Sequence, residues 1–436
     1  MLLTVMLVLG LAPSAPAQDG QWTEFQLQSG IRVSVLEVED APKQSTFTFL
    51  PLGLTSDGPE KAQFSHLVEH MLIRSTDPES LEVRGIRMNG ETTGNALRLE
   101  TIADPEEWKA ALGRHAKWLQ ARSFDAKTLE REKGRIQQEE QSTASAGYTH
   151  KWALAAWNQV ARHQRSHAGL HADVAGASIQ ELEDYVGKRL RLDRSVRIFT
   201  VGPRQAREIR KVLEAGFGKA GKSVPEAEPT SRPVKLDEKK SNRATWDLPV
   251  AHYLHWYRVP SKTANERLAA DLLARLVTVR LYRETELGKL GVRAMASVER
   301  LPGLGTFLLV SASLGTEASD ARVAAVERIL AEVVDQALEA RGDVPSVSLM
   351  IRQLGFQAKV APDFRALRKS LGGRRGADLV EANVAMQTAY REIALQLPRS
   401  EIGAAWAALD EQQVRRVHAG FLGPEQRFSL LLTEMK

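Results

Sequence analysis

The sequence contains no cysteine. That absence removes disulfides, thiolate metal ligands, thiol nucleophiles and iron–sulfur clusters together, so any metal must be held by His, Asp or Glu. After residues 1–11 there is no uninterrupted apolar run of the roughly 18 residues that a membrane-spanning helix needs. Charge of one sign is scarce too: 59 Lys+Arg against 54 Asp+Glu leave +5 over 436 residues. That excess is too diffuse to argue for nucleic acid. No G-x-x-x-x-G-K-[S/T] phosphate loop and no G-x-S-x-G serine elbow occurs. What is present is a globular balance of 43% apolar and 26% charged residues, which excludes a disordered or fibrous chain. The length allows two or more domains, each with its own core.

Residues 1–11 are apolar but too short to span a bilayer, and they lead into Ala12-Pro13-Ser14-Ala15-Pro16-Ala17-Gln18. Ala15 and Ala17 form an A-x-A cleavage pattern. The expectation is a signal peptide over 1–17, a mature chain beginning at Gln18, and export as a soluble periplasmic or extracellular protein. No Lys or Arg precedes the apolar run, so an uncleaved N-terminal tether is the alternative.

A Pro-, Lys-, Glu- and Ser-rich stretch nearly free of large apolar side chains runs from Gly218 to Arg243. It reads as a linker over 221–243 between two halves, 18–220 and 244–436. The halves read alike. In the first, Ile31, Val33 and Val35 alternate with polar residues as in a strand, and Phe47 and Phe49 mark a second strand. A helix follows over 62–73, then a strand over 97–102, helices over 105–122 and 126–141, and a closing strand over 196–201. The second half opens with a strand over 250–259. A helix follows with Leu268, Leu272, Leu276 and Val279 on one face, then a strand over 307–314. An amphipathic helix through Val323, Val326, Leu330, Val333 and Val334 leads towards a closing strand over 428–433. Two α+β halves of one design suggest an internal duplication.

The informative segment is Phe64-Ser65-His66-Leu67-Val68-Glu69-His70-Met71-Leu72. His66 and His70 are four apart, so on a helix their rings leave one face one turn apart, a spacing that suits two imidazoles on one metal ion. Glu69 sits at the edge of that face, where a carboxylate reaches water at the metal without itself being a ligand. The remaining residues are apolar, and a buried helix displaying two His and a Glu has to satisfy them. By chance an H-x-x-E-H is expected in on the order of one or two chains per hundred. A zinc site needs a third protein ligand. Downstream, Glu132 and Glu139 are seven apart and share a helix face, although by composition alone that helix reads more readily as a solvated charged one.

H-x-x-E-H followed by a helix of the form E-R-E-x-x-x-I-x-x-E resembles the M16 metallopeptidases, in which the zincin motif is inverted. Glu24-Phe25-Gln26-Leu27-Gln28-Ser29-Gly30-Ile31-Arg32-Val33 is similar to the family's opening segment. Gly94-Asn95-Ala96-Leu97 is similar to its G-x-x-N-A strand element, in compressed form. The resemblance implies two homologous α/β-sandwich domains of the LuxS/MPP-like metallohydrolase type, an overall α+β fold. It implies Zn²⁺ held by His66, His70 and Glu139, with Glu69 as general base. Glu132 becomes the glutamate that orients a His ligand, and Asn95 and Ala96 line the strand edge where a peptide lies. Such a zinc site activates water near pH 7, and Glu69 would pass its proton to the leaving amine. An extended peptide is expected to add to a sheet edge near 97–102.

One departure is informative. The family's C-terminal half carries an Arg and a Tyr seven residues apart that help to bind substrate and stabilise the tetrahedral intermediate. Aligned on Leu290-Gly291, those positions hold Leu287 and Ala294, and neither side chain donates a hydrogen bond. Arg283 or Arg293 is the in-chain alternative. The expectation is a zinc-bearing subunit whose homologous M16 partner supplies the Arg/Tyr pair in a heterodimer, in preference to a homodimer. The rival is a zinc-binding but non-catalytic subunit serving assembly or peptide binding. His163, His167 and His171 also repeat by four, but Gly169 intervenes and they read as a loop or helix end. His252 and His255 read as ordinary strand residues. His115 and His418 read as isolated, and Trp108, Trp118, Trp152 and Trp157 as helix-packing residues.

Overall fold

The computed structural model describes residues 21–54, 57, 61–75, 85–94, 96–143, 167–217, 241–246, 250–301, 305–315, 318–339, 344–359, 363–371 and 377–434. The expected signal peptide, most of the linker, Asn95, Trp152, Trp157 and His163 lie outside the described residues.

The first half runs β1 (Gln21–Gln26), β2 (Arg32–Glu37), β3 (Gln44–Leu50), α1 (Phe64–Arg74), β4 (Ile86–Thr92) and β5 (Leu97–Ala103). It continues with α2 (Trp108–Gln120), α3 (Ala126–Thr143), α4 (His167–Gly176), α5 (Ile179–Arg189), β6 (Arg197–Gly202) and α6 (Ala206–Phe217). The second half runs β7 (Ser241–Trp246), β8 (Ala251–Val259), α7 (Ala264–Arg283), α8 (Thr285–Lys289), β9 (Arg293–Leu301), β10 (Gly305–Gly315) and α9 (Asp320–Asp335). It ends with α10 (Val347–Lys359), α11 (Phe364–Leu371), α12 (Val380–Leu395), α13 (Arg399–Ala408), α14 (Glu411–Phe421) and β11 (Arg427–Glu434). The last linker residues, Ser241–Arg243, therefore belong to a strand. Helix α4 also runs through Gly169, where the glycine was expected to interrupt it. Among the described residues no helix is long and apolar enough to cross a membrane.

The first sheet has the order β1-β2-β6-β3-β5-β4 and the second β7-β11-β8-β10-β9. Without β1 the two orders match strand for strand. The parallel pairs correspond, β2 with β6 and β7 with β11, and α1 and α7 occupy the same place in the chain order. The duplication read from the pattern of elements is thus present in the topology.

The sequence's two apolar phases on the central strands explain how the halves join. β3 and β5 are buried along their whole length, because both faces of the sheet are covered. Leu50, Leu97 and Leu99 pack on the side of α1 and α2. Phe47, Phe49, Phe199 and Val201 face the other way, onto Val380, Ala382, Ala385 and Ala389 of α12. Small residues at this spacing let a helix of the second half approach the sheet of the first closely. Each large apolar side chain so buried contributes about 1.5–3 kcal/mol. On the α2 side, the fully buried His115 is satisfied at both ring nitrogens, by Thr48 at 2.6 Å and Thr101 at 2.7 Å.

β5 is an interior strand, bonded to β3 on one side and to β4 on the other. The sheet edge expected at 97–102 is therefore occupied; among the described residues the edge strands of this sheet are β1 and β4, and β4 is the one beside β5 and α1. In Ile86-Arg87-Met88-Asn89-Gly90-Glu91-Thr92 only Ile86 and Met88 are large and apolar, and Arg87, Asn89 and Glu91 take the alternate positions, as is usual at an edge with charged side chains.

Candidate metal centre

Helix α1 is fixed from its apolar face. Leu67, Val68, Met71 and Leu72 are buried in the first core, which turns His66 and His70 towards the half-buried side. Its first turn is secured from a distance. Gln63, in the N-cap position, is left-handed (φ 64°) and makes no side-chain cap. The buried carboxylate of Asp57 instead accepts from Ser65 N at 3.2 Å and Ser65 Oγ at 2.8 Å, and from the Tyr185 hydroxyl. Burial pushes the Asp57 carboxyl up to about 7, against the opposing effect of those bonds.

The two imidazoles lie 4.9 Å apart, centroid to centroid. Glu139 comes to them from α3: its Oε2 is 3.6 Å from His66 Nε2 and 3.4 Å from His70 Nε2. One ligand atom from each of the three side chains lies within 4.8 Å of the others. In a tetrahedral zinc site with bonds of roughly 2.0–2.2 Å, neighbouring ligand atoms are about 3.3–3.5 Å apart. Both separations from Glu139 lie close to that spacing, and the donor set of two imidazoles and one carboxylate fits zinc. Side-chain donors of this kind and separation would otherwise be an unexplained crowding of acid and base.

Glu132, fully buried, stands behind His70. Its Oε2 is 3.1 Å from His70 Nδ1, which leaves Nε2 facing Glu139. Its Oε1 receives Arg131 at 3.1 Å, Arg135 at 3.0 Å and Arg74 at 3.5 Å. Burial raises the Glu132 carboxyl, but His70 and the three arginines together hold it below its ordinary value. Burial would likewise depress His70, yet the surrounding Glu132, Glu139 and Glu69 push it up to about 9. Glu139 is held well below the carboxylate range by its bonds to His66 and His70. The field at this point favours a positive charge, whether carried by a proton or by a divalent ion.

Glu69, also buried, lies against β4. Thr92 Oγ1 donates to Glu69 Oε2 at 2.6 Å. A Cβ on Gly90 would fall 2.6 Å from both Cγ and Oε1 of Glu69, so the carboxylate rests on the bare backbone of the edge strand. Ala96 is buried beneath α12 in the cluster that joins the halves, ahead of β5 and away from the free edge. Leu287 and Ala294 pack into the core of the second half, where neither contributes a polar group.

His66, His70, Glu69, Glu132 and Glu139 thus come together as one group. Sequence reasoning misses Gly90, Thr92, Asp57 and the three arginines. The only local signal among them is Gly90, a glycine inside a strand, which marks close approach of another group.

No family model matches the sequence, and no curated protein matches it. Solved structures do. A protease from Helicobacter pylori superposes with a TM-score of 0.71 at 13% identity, over 95% of this chain and 99% of that one. An M16-like protein from Alicyclobacillus acidocaldarius gives 0.67 at 12% identity, over 98% and 100%. The periplasmic protease PqqL from Escherichia coli gives 0.63 at 14% identity, over 97% of this chain and 48% of PqqL. Pitrilysin gives 0.63 at 16% identity, over 96% of this chain and 46% of pitrilysin. The chain is thus about half the length of PqqL and pitrilysin, and matches the other two end to end. At these identities the likeness is one of architecture, and the chain has the α+β fold of the M16-like peptidases.

Proposed function

We propose that this protein is an exported zinc metalloendopeptidase that hydrolyses unstructured peptides. The observation that carries the reading is the approach of Glu139 Oε2 to within 3.4 and 3.6 Å of the two imidazole nitrogens of α1. His66, His70 and Glu139 would hold the ion. When bound, zinc supplies Lewis-acid chemistry, activating water and polarising a peptide carbonyl near neutral pH.

The chain's own residues supply the rest. Glu132 orients His70 through Nδ1 and keeps that nitrogen's proton away from the ligand side. Glu69 accepts the proton of the attacking water and delivers it to the leaving amine nitrogen. The open edge of β4 offers backbone N–H and C=O groups to an extended peptide, so recognition would make limited demands on its sequence. Asn95 keeps the peptide-binding role that the resemblance implies, whereas Ala96 is buried and its backbone N–H and C=O are taken up by Thr93.

Leu287 and Ala294, both in core packing, favour a further element of the reading. A homologous M16-type subunit would supply an Arg/Tyr pair to the site in a heterodimer. Full turnover of an unstructured peptide by the purified chain alone would remove the need for it.

The test of the whole reading pairs metal content with a Glu69→Gln comparison. One zinc per chain and hydrolysis of a quenched-fluorescence peptide, alone or with the partner, are expected of the wild type. Glu69→Gln should bind zinc equally and cleave nothing. A wild type that binds zinc yet cleaves nothing with a partner present would favour the non-catalytic reading.

A further inference from the structure

The side chain of Glu69 has three rotatable bonds and no ligand role to hold it, yet a proton acceptor must sit within a narrow range of positions to work. Two features of β4 act on it from the same face. Residues two apart in a strand project to the same side, and Gly90 and Thr92 are such a pair. Gly90 provides the space: the three nearest atoms to a Cβ built there are Cγ, Oε1 and Cδ of Glu69, at 2.6, 2.6 and 2.8 Å. Thr92 provides the anchor, with its buried hydroxyl 2.6 Å from Glu69 Oε2. An ionised carboxylate is acceptor only, so the threonine hydroxyl is the donor and Oε1 is left on the glycine side.

We infer that Thr92 is a positioning residue for the general base, setting with Gly90 the one rotamer in which Glu69 works. The inference rests on the proposed role of Glu69. It also gives the edge strand a second task. The same strand that offers its open edge to the peptide backbone fixes the carboxylate that serves the scissile bond. The register of the added peptide and the position of the base are therefore measured from one set of atoms. If the anchor is lost, Gly90 leaves room for Glu69 but nothing on β4 selects its rotamer.

The test uses the full zinc-loaded chain, with the partner if one is needed for turnover, in three forms: wild type, Thr92→Val and Thr92→Ser. Valine keeps the volume and removes the donor; serine keeps the donor. Crystal structures read the Glu69 side chain directly. A single rotamer against Gly90 is expected in the wild type and in Thr92→Ser, and a displaced or divided one in Thr92→Val. Zinc content should be the same in all three. With the quenched-fluorescence peptide, kcat of Thr92→Val should fall by about 10- to 100-fold with KM within about twofold, and serine should restore most of it. A Glu69 rotamer unmoved in Thr92→Val, or a Thr92→Ser as impaired as Thr92→Val, would overturn the inference. Failure of the broader reading shows differently, as absence of bound zinc or as an active Glu69→Gln, and leaves the rotamer comparison decisive for Thr92.

Discussion

Tyr390 of the second half donates its hydroxyl to Glu91 of the first at 2.7 Å. Arg98 completes a triangle, with Nη1 3.1 Å from the tyrosine oxygen and 3.1 Å from Glu91 Oε2. Phe49 closes on the tyrosine ring edge to face at 5.1 Å. The triangle is built on the face of β4 opposite Glu69, at the residue between Gly90 and Thr92. Burial pushes the Tyr390 phenol far above its ordinary range, so it remains a donor throughout the working pH range. The edge strand is thereby held on one face by the proposed base and on the other by the second half of the chain.

Removing the hydroxyl in Tyr390→Phe should cost about 1–2 kcal/mol. Arg98→Met should cost more, about 3–5 kcal/mol, because it leaves Glu91 without its cation and the buried Glu100 with Arg87 alone, at 3.7 Å. Urea unfolding monitored by tryptophan fluorescence measures both. A Tyr390→Phe variant as stable as the wild type would show that the triangle does not couple the halves.

Glu132→Gln keeps the shape but withdraws the negative charge behind His70 and before three arginines. Zinc affinity should fall by about 10- to 100-fold. Competition with a chromophoric chelator gives the number. An unchanged affinity would mean that Glu132 acts on α3 packing alone.

Metal removal should lower stability by mass action. At zinc one hundred times its dissociation constant the bound form gains about 2.7 kcal/mol, so chelation should lower Tm and zinc should restore it. A His66→Ala/His70→Ala double variant should show one Tm with or without zinc. A zinc-dependent Tm in that variant would place the ion elsewhere.

Acid sensitivity should come from three buried imidazoles. Burial holds His115 down to about 3, His252 to about 4 and His255 to about 3. A histidine depressed in the folded state binds a proton more readily when unfolded. Its contribution to stability is therefore complete above about 6.5 and is lost as pH falls towards the folded value. Each should remove about 1.4 kcal/mol per pH unit in that window. Buried Asp57, Glu299 and Glu392, pushed up to about 7, 7 and 8, act in the opposite sense over the same interval, so the histidine contribution is read as a difference: between pH 7.5 and 4.5 the unfolding free energy of His115→Gln should fall less steeply than that of the wild type, by one proton. Identical slopes in the two proteins would contradict the burial of His115.

Local features of the site are legible in the amino-acid order. The separation of His66 from His70 needs only helical periodicity, and the apolar residues between them settle which side of α1 faces inward. The likeness of the two halves is legible as a repeated order of strands and helices. Glu139 is different: its seven-residue spacing from Glu132 shows a shared face of α3, but composition makes that face a solvated one. The resemblance to a known family, and then the tertiary fold, brings it to the imidazoles.

β4 escapes the sequence pattern for a physical reason. An edge strand has one hydrogen-bonded neighbour, and β4 has only Ile86 and Met88 as large apolar residues, too short a run to stand out, while Leu97, Leu99 and Ile102 make β5 look like a strand without showing that both its sides are taken. Sequence alone thus determined the elements whose signal is periodic along the chain: the helix with the two histidines, the central strands and the duplication. Tertiary structure decided which strand forms the edge, that Gly90 and Thr92 receive Glu69, and that Tyr390 reaches Glu91 from 299 residues away. Those depend on side chains meeting through space, and no regular spacing along the backbone records such a meeting.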